Sequence, residues 1–499
     1  MRTILPPPVA AGFSDEDLDL RADVCIVGAG PGGSATAKVL AEAGLDVLVL
    51  EEGPAQSNFH KSQAHTSRYH MQEAGTMVAR GPTPFLIAAG RGVGGGSLIN
   101  SALCFRTPDA VLEGWDAELD ADWSPQTLAP VFDEIEELIG VGLPTSDHAA
   151  GKHNVRIAEA ADRLGYVGGL AARNTPGCVG CGACNFGCPV NGKATVNLNL
   201  MARAVTAGAR IQAETKITGV DLEGTRVVGV SGRCVHPDTG APGGAVRVLA
   251  RHTVISAGAI GTPRLLHHSG AARHMNGVGQ GLHVHPGSAV LALFEDEIDV
   301  FQGATQGCWF ETPELPGVLP HTWTSPPEVV SMLLAPYYGG IKETFPVLRR
   351  IGGVLALVSD KGHGSVSAYA DGRANIAYAF DAHDVKMIQE GMVLCARVLL
   401  EAGATELYAV AHGVPATGDI DVFAAAMRAT TIRDFILYSS HPMCSCRMGH
   451  ALDGDGRAVG LDGISVHDAS VFPSSLGVNP QLSTMAVSTV LSRRLASTL

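Results

Sequence analysis

The chain has 499 residues, 46% of them hydrophobic and 17% charged, and this composition excludes an intrinsically disordered protein. The length is sufficient for two or three domains with large cores. Its 49 acidic and 35 basic residues give a net charge of −14, and because the basic residues form no cluster we expect no nucleic-acid partner.

The N-terminal segment predicts neither an export signal nor a membrane anchor. MRTILPPPVAAGFSDEDLDL lacks a charged region followed by an apolar core, and it has no twin-arginine motif. No run approaches the ~18 apolar residues that a membrane span requires. We therefore expect a cytoplasmic protein, in which the four clustered cysteines of the 11 are metal ligands rather than disulfides.

The first elements are a strand, a glycine turn, a helix and a second strand. An apolar run at 22–27 precedes GAGPGG, which places Gly28, Gly30 and Gly33 at the G-x-G-x-x-G positions, and LDVLVL ends at Glu51. Such glycines let the backbone approach a pyrophosphate, and a carboxylate about 20 residues later holds a ribose hydroxyl. The pattern predicts a dinucleotide site, with Glu52 as the alternative if Glu51 points into the core. It does not distinguish NAD from FAD.

A second glycine-rich segment, GRGVGGGSLIN, covers residues 90–100. Closely spaced glycines permit backbone contact with a ligand and serve poorly as core. The segment therefore predicts a second part of the same binding site, and a flexible loop is the alternative.

Four cysteines stand close together between residues 178 and 188. Their spacing, C-x2-C-x2-C-x3-C-P, is that of bacterial ferredoxins, and such thiolates can enclose one soft metal centre. Three interpretations stay open: an iron–sulfur cluster, a zinc ion and a metal-free loop. The fourth ligand is also open, with Cys444 and Cys446 as alternatives. The predicted metal ligands are Cys178, Cys181, Cys184 and Cys188.

Hairpins and a long helix are predicted in the following segments. TKITGVDLEGTRVVGVSGRC and GSVSAYADGRANIAYAF predict hairpins, the second turning at Asp371-Gly372. DAHDVKMIQEGMVLCARVLLEAGA predicts one amphipathic helix that ends at Gly403. The apolar run at 329–341 predicts a hydrophobic wall for a substrate.

The last segment contains a histidine and an asparagine suited to proton transfer. Imidazole is the only unperturbed side chain that titrates near neutral pH, so His441 is a candidate base. Asn479 offers a fixed amide and precedes Pro480, and proline is favoured at the first helical position. Asn479 is therefore predicted to cap the helix QLSTMAVSTVLSRRL, whose N-terminus stabilises negative charge. We expect His283 and His285 to be structural or surface residues.

Four motifs in this order, GAGPGG, GRGVGGGSLIN, GAIGTPRLLHHSG and HPMCSCRMG…GVNPQ, give the chain its family resemblance. From about Ala22 to the C-terminus it resembles the glucose–methanol–choline (GMC) oxidoreductases. Cys104 stands where the family's first signature expects an aromatic residue or Ala, and Ala271 where its second expects an aliphatic one.

The resemblance implies FAD as cofactor and assigns residues to it. The ADP part would contact the first glycine motif and its acid, and the second glycine motif would pass close to the pyrophosphate, ribityl chain and ring. Asp468 would lie at the middle of FAD, and residues 479–482 under the pyrimidine edge. The predicted cofactor-binding residues are Gly28, Gly30, Gly33, Glu51, Glu52, Arg91, Gly94, Gly95, Ser97, Asn100, Ile217, Asp468, Asn479, Pro480, Gln481 and Leu482.

The resemblance also implies an α/β fold with a Rossmann-like FAD-binding domain and an antiparallel sheet, backed by helices, that carries the substrate. We expect a discontinuous FAD-binding domain at 1–115, 206–292 and 431–499. Residues 116–205 would form a helical and irregular insertion with the Cys-rich loop at 178–188, and residues 293–430 the substrate-binding domain.

The predicted function is FAD-dependent oxidation of a hydrophobic alcohol, long-chain, terpenoid or steroid, to an aldehyde or ketone. His441 would accept the hydroxyl proton, Asn479 would position the oxygen, and hydride would pass to flavin N5. Electrons would then leave to a protein, a quinone or oxygen, with an iron–sulfur cluster as a possible exit. The alternatives are a non-redox FAD-containing lyase and an electron-transfer subunit.

Overall fold

The computed structural model describes residues 3–55, 59 and 62–499. The strands are β1 (Leu18–Val27), β2 (Val47–Leu50), β3 (Val78–Ala79), β4 (Phe85–Ile87), β5 (Val167–Leu170), β6 (Arg210–Gln212), β7 (Thr215–Glu223), β8 (Arg226–Val235), β9 (Pro242–Ile255), β10 (Gln280–Leu282), β11 (Gly287–Phe294), β12 (Cys308–Glu311), β13 (Val318–Thr322), β14 (Ile351–Val358), β15 (His363–Ala368), β16 (Ala374–Ala379), β17 (Ala404–Ala409), β18 (Tyr438–Ser439) and β19 (Ile464–Val466). The α-helices are α1 (Pro31–Glu42), α2 (Gln63–His70), α3 (Asp109–Glu118), α4 (Pro125–Ile139), α5 (Asp147–Ala150), α6 (Lys152–Arg163), α7 (Leu200–Thr206), α8 (Gly258–His268), α9 (Pro327–Tyr338), α10 (Ala382–Glu401), α11 (Ile420–Arg428) and α12 (Gln481–Ala496).

The first large sheet carries the N-terminal glycine motif. Its strand order is β6-β2-β1-β9-β8-β7, with β19 paired to β9. Strands β6, β2, β1, β9 and β19 are parallel neighbours, whereas β8 pairs antiparallel with both β7 and β9. Helices α1 and α12 pack against each other. These strands come from three distant parts of the chain, and the predicted domain boundaries stay a prediction.

The turn from β1 into α1 depends on tight packing of glycines. Pro31 is the first helical residue and Gly30 precedes it as the N-cap, in the position where proline is favoured. A Cβ atom at Gly33 would lie 2.0 Å from the carbonyl oxygen of Gly28. Only glycine therefore lets this helix lie so close to the strand.

The second large sheet has two differently covered faces. Its strand order is β3-β4-β18-β11-β14-β13-β12-β5, with β17 paired to β11. Because side chains alternate along a strand, Val290 packs with residues of α10, whereas Leu291 packs with Trp323 and with residues of α9. The face covered by α10 is part of the buried core. The face covered by α9 borders the large cavity of the protein.

The predicted α/β architecture, with a Rossmann-like sheet and a mostly antiparallel second sheet backed by a helix, is confirmed. Both predicted hairpins are confirmed as the pairs β7–β8 and β15–β16, and the long predicted helix is α10. Within the described ranges, no helix combines the length and apolar composition that a membrane crossing needs.

One predicted helix boundary was wrong by one residue. Helix α12 begins at Gln481, and Pro480 rather than Asn479 is its N-cap, without a side-chain hydrogen bond to the helix. The backbone of Pro480 (φ −84°, ψ −7°) is already close to helical, so the proline takes the cap position itself. The amide of Asn479 is consequently available for another partner.

Candidate active site

A cavity of about 710 Å³ extends from the carboxyl ends of the parallel strands to the α9 face of the second sheet. Ligands of open α/β sheets bind at such strand ends. The predicted residues that line the cavity are Gly28, Gly30, Glu51, Glu52, Gly95, Asn100, Ile217, His441, Asp468, Asn479, Pro480 and Gln481. The predicted residues that do not line it are Gly33, Arg91, Gly94, Ser97 and Leu482.

The residues outside the cavity wall have structural contacts. The Ser97 hydroxyl donates to the carbonyl of Gly94 at 2.7 Å, which tightens the second glycine turn. Leu482 is buried in the core. Arg91 lines a neighbouring pocket of about 300 Å³ and donates to the carbonyl of Glu52 at 3.0 Å.

The two glycine motifs meet at the cavity. A Cβ atom on Gly95, whose φ is +50°, would lie 2.7 Å from the Cα of Gly30. Gly95 therefore has no room for a side chain, and both residues line the cavity. The two loops therefore present bare backbone to whatever the cavity binds.

Glu51 joins three backbone segments instead of pointing freely into the cavity. Its carboxylate accepts from the N–H groups of Ala29, Gly53 and Gly92, each at 2.9 Å. Burial raises the pKa of Glu51, and Glu52 adds to this effect, whereas the three N–H groups favour the ionised form. The carboxylate thus connects both glycine motifs.

Asp468 connects β19 to the start of α8. Its carboxylate accepts from the N–H of Gly258 at 2.9 Å, from the hydroxyl of Thr262 at 2.5 Å and from the N–H of Ser470 at 2.8 Å. Burial raises its pKa. The residue lines the cavity.

His441 and Asn479 meet at the end of the cavity next to the second sheet. Asn479 Nδ2 lies 3.1 Å from His441 Nε2, so with the amide as donor this nitrogen is an acceptor. The main-chain N–H of His441 donates to the hydroxyl of Ser439 at 3.2 Å, which fixes the residue just after β18. Burial lowers the pKa of His441 well below its ordinary value. The imidazole is therefore neutral and able to accept a proton.

Two further buried histidines, His285 and His321, surround His441. His285 is buried, with its ring edge-on to that of His441 at a centroid distance of 5.5 Å and an interplanar angle of 89°. Burial lowers the pKa values of His285 and of His321, on β13, to about 4 each, and both further lower the pKa of His441. The sequence around His285 does not indicate that this residue is buried beside His441.

Asp360 holds the turn that places His285. Its carboxylate accepts from the N–H groups of Val284 and His285, each at 3.0 Å, and from the hydroxyl of Tyr378. His285 Nε2 in turn accepts from the N–H of Gly477 at 3.1 Å. These contacts connect the turn before β11 to the segment that carries Asn479.

The structure does not support a metal centre at the Cys-rich loop. Among residues 3–55, 59 and 62–499, no three His, Cys, Asp or Glu side chains form a group that could hold a metal ion. The thiols instead accept hydrogen bonds from separate donors. These are Arg173 to Cys184 at 3.2 Å, the N–H of Gly192 to Cys188 at 3.1 Å and the N–H of Gly180 to Cys178 at 3.4 Å. The four predicted ligands therefore do not fit an iron–sulfur cluster or a zinc ion in this structure.

Comparison with known proteins agrees with the motifs. Models of the GMC oxidoreductase family match residues 67–287 and 361–488, and a model of an FAD binding domain matches residues 21–77. An uncharacterized GMC-type oxidoreductase of Mycobacterium tuberculosis is 33% identical over 477 residues, which cover 94% of this chain and 74% of that protein. The chain belongs to the GMC oxidoreductase family. It is thus an FAD-dependent flavoprotein of a family that acts on CH–OH groups.

Other GMC proteins are similar over nearly the whole chain. A long-chain-alcohol oxidase of Arabidopsis thaliana is 27% identical over 549 aligned positions, covering 98% of this chain and 69% of that protein. The pyridoxine 4-oxidase of Mesorbium loti has the same fold, with a TM-score of 0.71, 17% identity and coverage of 95% and 98% of the two chains. Aspergillus oryzae formate oxidase gives a TM-score of 0.70 at 16% identity, with coverage of 96% and 98%. The GMC fold predicted from the sequence is confirmed.

The cavity of this GMC protein fits FAD. The start of α1 has no side-chain cap, so its N–H groups are available to a pyrophosphate at Gly30. At the other end, Asn479 Oδ1 and Gln481 Nε2 are buried without a hydrogen-bond partner in the part of the chain that the structure describes. An acceptor and a donor of this kind suit the polar edge of a flavin ring, since buried polar atoms are rarely left unpaired.

Sequence reasoning missed two buried cations of this GMC site, Lys193 and Arg173. Lys193 Nζ donates to the side-chain oxygen of Asn100 at 3.3 Å and to its carbonyl at 2.9 Å. Burial lowers the pKa of Lys193 to about 8. Burial alone would raise the pKa of the Cys184 thiol. The positive charges of Arg173 and Lys193 have the larger combined effect, so the pKa of this thiol is lowered. No local pattern in the sequence indicates that either cation is buried.

Proposed function

We propose that the protein oxidises a hydrophobic alcohol to an aldehyde or ketone. The observation that carries the proposal is the His441–Asn479 pair, 3.1 Å apart, at the end of the cavity where the wall becomes apolar. The apolar wall includes Ala289, Trp323, Val329, Met332, Leu333, Leu355, Val410, Ile436 and Leu437. Apolar pockets with a few convergent polar groups are typical of small-molecule sites.

The residues have separate tasks in this reaction. Nε2 of His441 accepts the hydroxyl proton, because the ring is neutral and buried and because the alcohol oxygen replaces Nε2 as the acceptor of the Asn479 amide. Asn479 Nδ2 donates to the alcohol oxygen and keeps it beside that nitrogen. FAD, if bound, would supply the acceptor for the two electrons of the oxidation. The residues that would hold FAD are the lining residues of the two glycine motifs, Glu51, Ile217, Asp468 and residues 480–481.

The preference for a hydrophobic alcohol follows from the wall. A buried methylene contributes about 0.8 kcal/mol, which corresponds to roughly fourfold in affinity. The similarity to long-chain-alcohol oxidases supports the same substrate class. Sugars and polyols would leave hydroxyl groups without partners against these side chains, which is unfavourable.

The test is anaerobic reduction of the bound flavin by a series of primary alcohols of increasing length. Denatured protein should first release FAD, identified by chromatography. The apparent second-order rate constant of reduction should rise by up to about fourfold per methylene until the chain fills the cavity. A flavin that no alcohol reduces, or that polyols reduce fastest, contradicts the proposal.

Two valine variants test whether the dependence of the reduction rate on alcohol length arises from the apolar wall of the cavity. Val329 lines the cavity on α9, whereas Val422 is exposed on α11 and does not line the cavity. In Val329→Asp, the rate constant of flavin reduction should depend less on the length of the alcohol, while the rate with short alcohols should change little. In Val422→Asp, the dependence of the rate constant on alcohol length should be the same as in the parent protein.

The proposed function contains no iron–sulfur cluster, because the Cys-rich loop does not form a metal-holding group. Analysis of anaerobically purified protein should find iron and sulfide well below one atom per chain. Several iron and sulfide atoms per chain would restore the cluster as an electron exit and show that the loop rearranges around it.

A further inference from the structure

A lysine is buried directly behind the cavity wall, and its hydrogen-bond acceptors in the described part of the chain are all neutral. Lys193 is 1% exposed, and its ammonium group donates to the carbonyls of Leu98 at 3.1 Å, Asn100 at 2.9 Å and Cys184 at 3.0 Å. It also donates to Asn100 Oδ1 at 3.3 Å. All these acceptors are neutral.

Arg173, beside Lys193, is a second buried cation. Arg173 is 2% exposed and donates to the carbonyl of Ser101 through Nη2 at 2.6 Å and through Nε at 3.2 Å. Its guanidinium group also donates to the Cys184 sulfur at 3.2 Å. Across the described ranges, neither Arg173 nor Lys193 forms an ion pair with Asp or Glu.

Two buried positive charges at one place are unfavourable unless a negative charge lies near. Both cations contact the segment 98–101, and Asn100 and Ser101 of this segment line the cavity. The positive charge therefore lies one residue behind the surface on which the cofactor would rest. A negative charge that forms inside the cavity would balance it.

The same lysine fixes the side chain of Asn100. Lys193 holds the Asn100 oxygen, so Asn100 Nδ2 is free to donate to Gln481 Oε1. Gln481 is the first residue of α12 and follows Asn479 by two positions. This series of contacts joins the Cys-rich segment to the His441–Asn479 end of the cavity.

We propose that Lys193 is a positioning residue that, together with Arg173, supplies the fixed positive charge that stabilises the reduced, negatively charged flavin ring. Preorganised charges in a dry site act strongly on charge that develops during a reaction. The inference rests on the proposed function, in which FAD occupies this cavity. It adds a role for two residues that contact neither the alcohol nor its proton.

The experiment measures sulfite binding to the FAD-loaded protein. Sulfite adds to oxidised flavin and leaves negative charge on the ring, so its dissociation constant reports the stabilising charge without any alcohol. Lys193→Met and Lys193→Gln should weaken sulfite binding about tenfold or more, whereas Lys193→Arg and the exposed control Lys386→Met should change it little. A tenfold change predicts a two-electron midpoint potential about 30 mV lower.

The outcomes separate charge, hydrogen bonding and folding. Lys193→Gln keeps a donor without charge, so unchanged sulfite binding in this variant and in Lys193→Met overturns the proposal. If Lys193→Met does not fold, Lys193→Gln and Lys193→Arg decide alone. A Cys184 thiolate would be the competing countercharge; in that case Cys184→Ser, and not the lysine variants, changes sulfite binding, and the proposal is wrong.

Failure of the proposed function gives a different result. Sulfite needs neither an alcohol nor His441, so a flavin that no alcohol reduces can still show the lysine effect. Conversely, normal alcohol oxidation with unaltered sulfite binding in the lysine variants rejects this inference alone.

Discussion

Replacement of His441 by Ala is expected to leave FAD bound and to slow flavin reduction by alcohol about 10²–10⁴-fold, the usual contribution of a general base. The imidazole provides the proton acceptor at this end of the cavity, and Asn479 beside it is an amide that cannot replace it. Stopped-flow measurement of flavin bleaching under anaerobic conditions determines the rate. Asn479→Ala should have a smaller effect, since it removes one hydrogen bond rather than the base.

His363→Ala is the matched control for His441→Ala. His363 is exposed on β15, its ring lies 3.4 Å from the main-chain carbonyl of Lys361, and it does not line the cavity, so its removal should not change the reduction rate. Normal reduction in His441→Ala would identify another base and contradict the assignment. Loss of bound FAD in His441→Ala would instead indicate a structural role.

The pH dependence of reduction provides a check on the same residue. Burial lowers the pKa of His441 well below 6.5, and His285 and His321 lower it further, whereas Asp360 raises it. Because the neutral ring is the base, the rate should be maximal above this pKa and should fall as the pH decreases through it. The parent enzyme should therefore keep its full reduction rate at pH 6.5. A decline already between pH 7 and pH 6.5 would mean that the imidazole is not desolvated as the structure indicates.

The parts of the site that lie in one short segment could be predicted from the sequence. Gly28, Gly30 and Gly33 belong to one strand, turn and helix, so their spacing fixes their geometry. His441 and Asn479 were predicted from the residue types and the motif, and the structure places them 3.1 Å apart. Their catalytic roles stay proposals until the variants are measured.

Contacts between distant segments could not be predicted. The Cys spacing indicated a metal centre, but three of the thiols accept hydrogen bonds from separate donors, which are Arg173 and the N–H groups of two glycines. The burial of Lys193 depends on the segment 98–101 folding against it, almost a hundred residues earlier in the chain. The sequence likewise does not show that Asp360 holds the turn of His285 beside His441.

Glu51 provides the second large expected effect, since its carboxylate holds both glycine motifs together. Glu51→Leu leaves the N–H groups of Ala29, Gly53 and Gly92 buried without an acceptor. Each unsatisfied group costs about 1–3 kcal/mol, so the total of about 3–9 kcal/mol is comparable to the whole stability of a protein. We expect this variant to lose FAD completely and to unfold at a much lower temperature than the parent.

Glu51→Gln separates cofactor binding from folding. One oxygen remains, which can keep the bonds of Gly53 and Gly92, while the new amide group faces the N–H of Ala29. The loss of one acceptor should weaken FAD binding about tenfold or more in a fluorescence titration of the apoprotein, with the fold retained. Glu42→Gln is the matched control, because Glu42 is half exposed, pairs with Lys38 at 2.8 Å and does not line the cavity. Unchanged FAD affinity in Glu51→Gln would mean that the ring of N–H groups around this carboxylate is not what shapes the cofactor site, and that the two glycine loops hold their positions by packing alone.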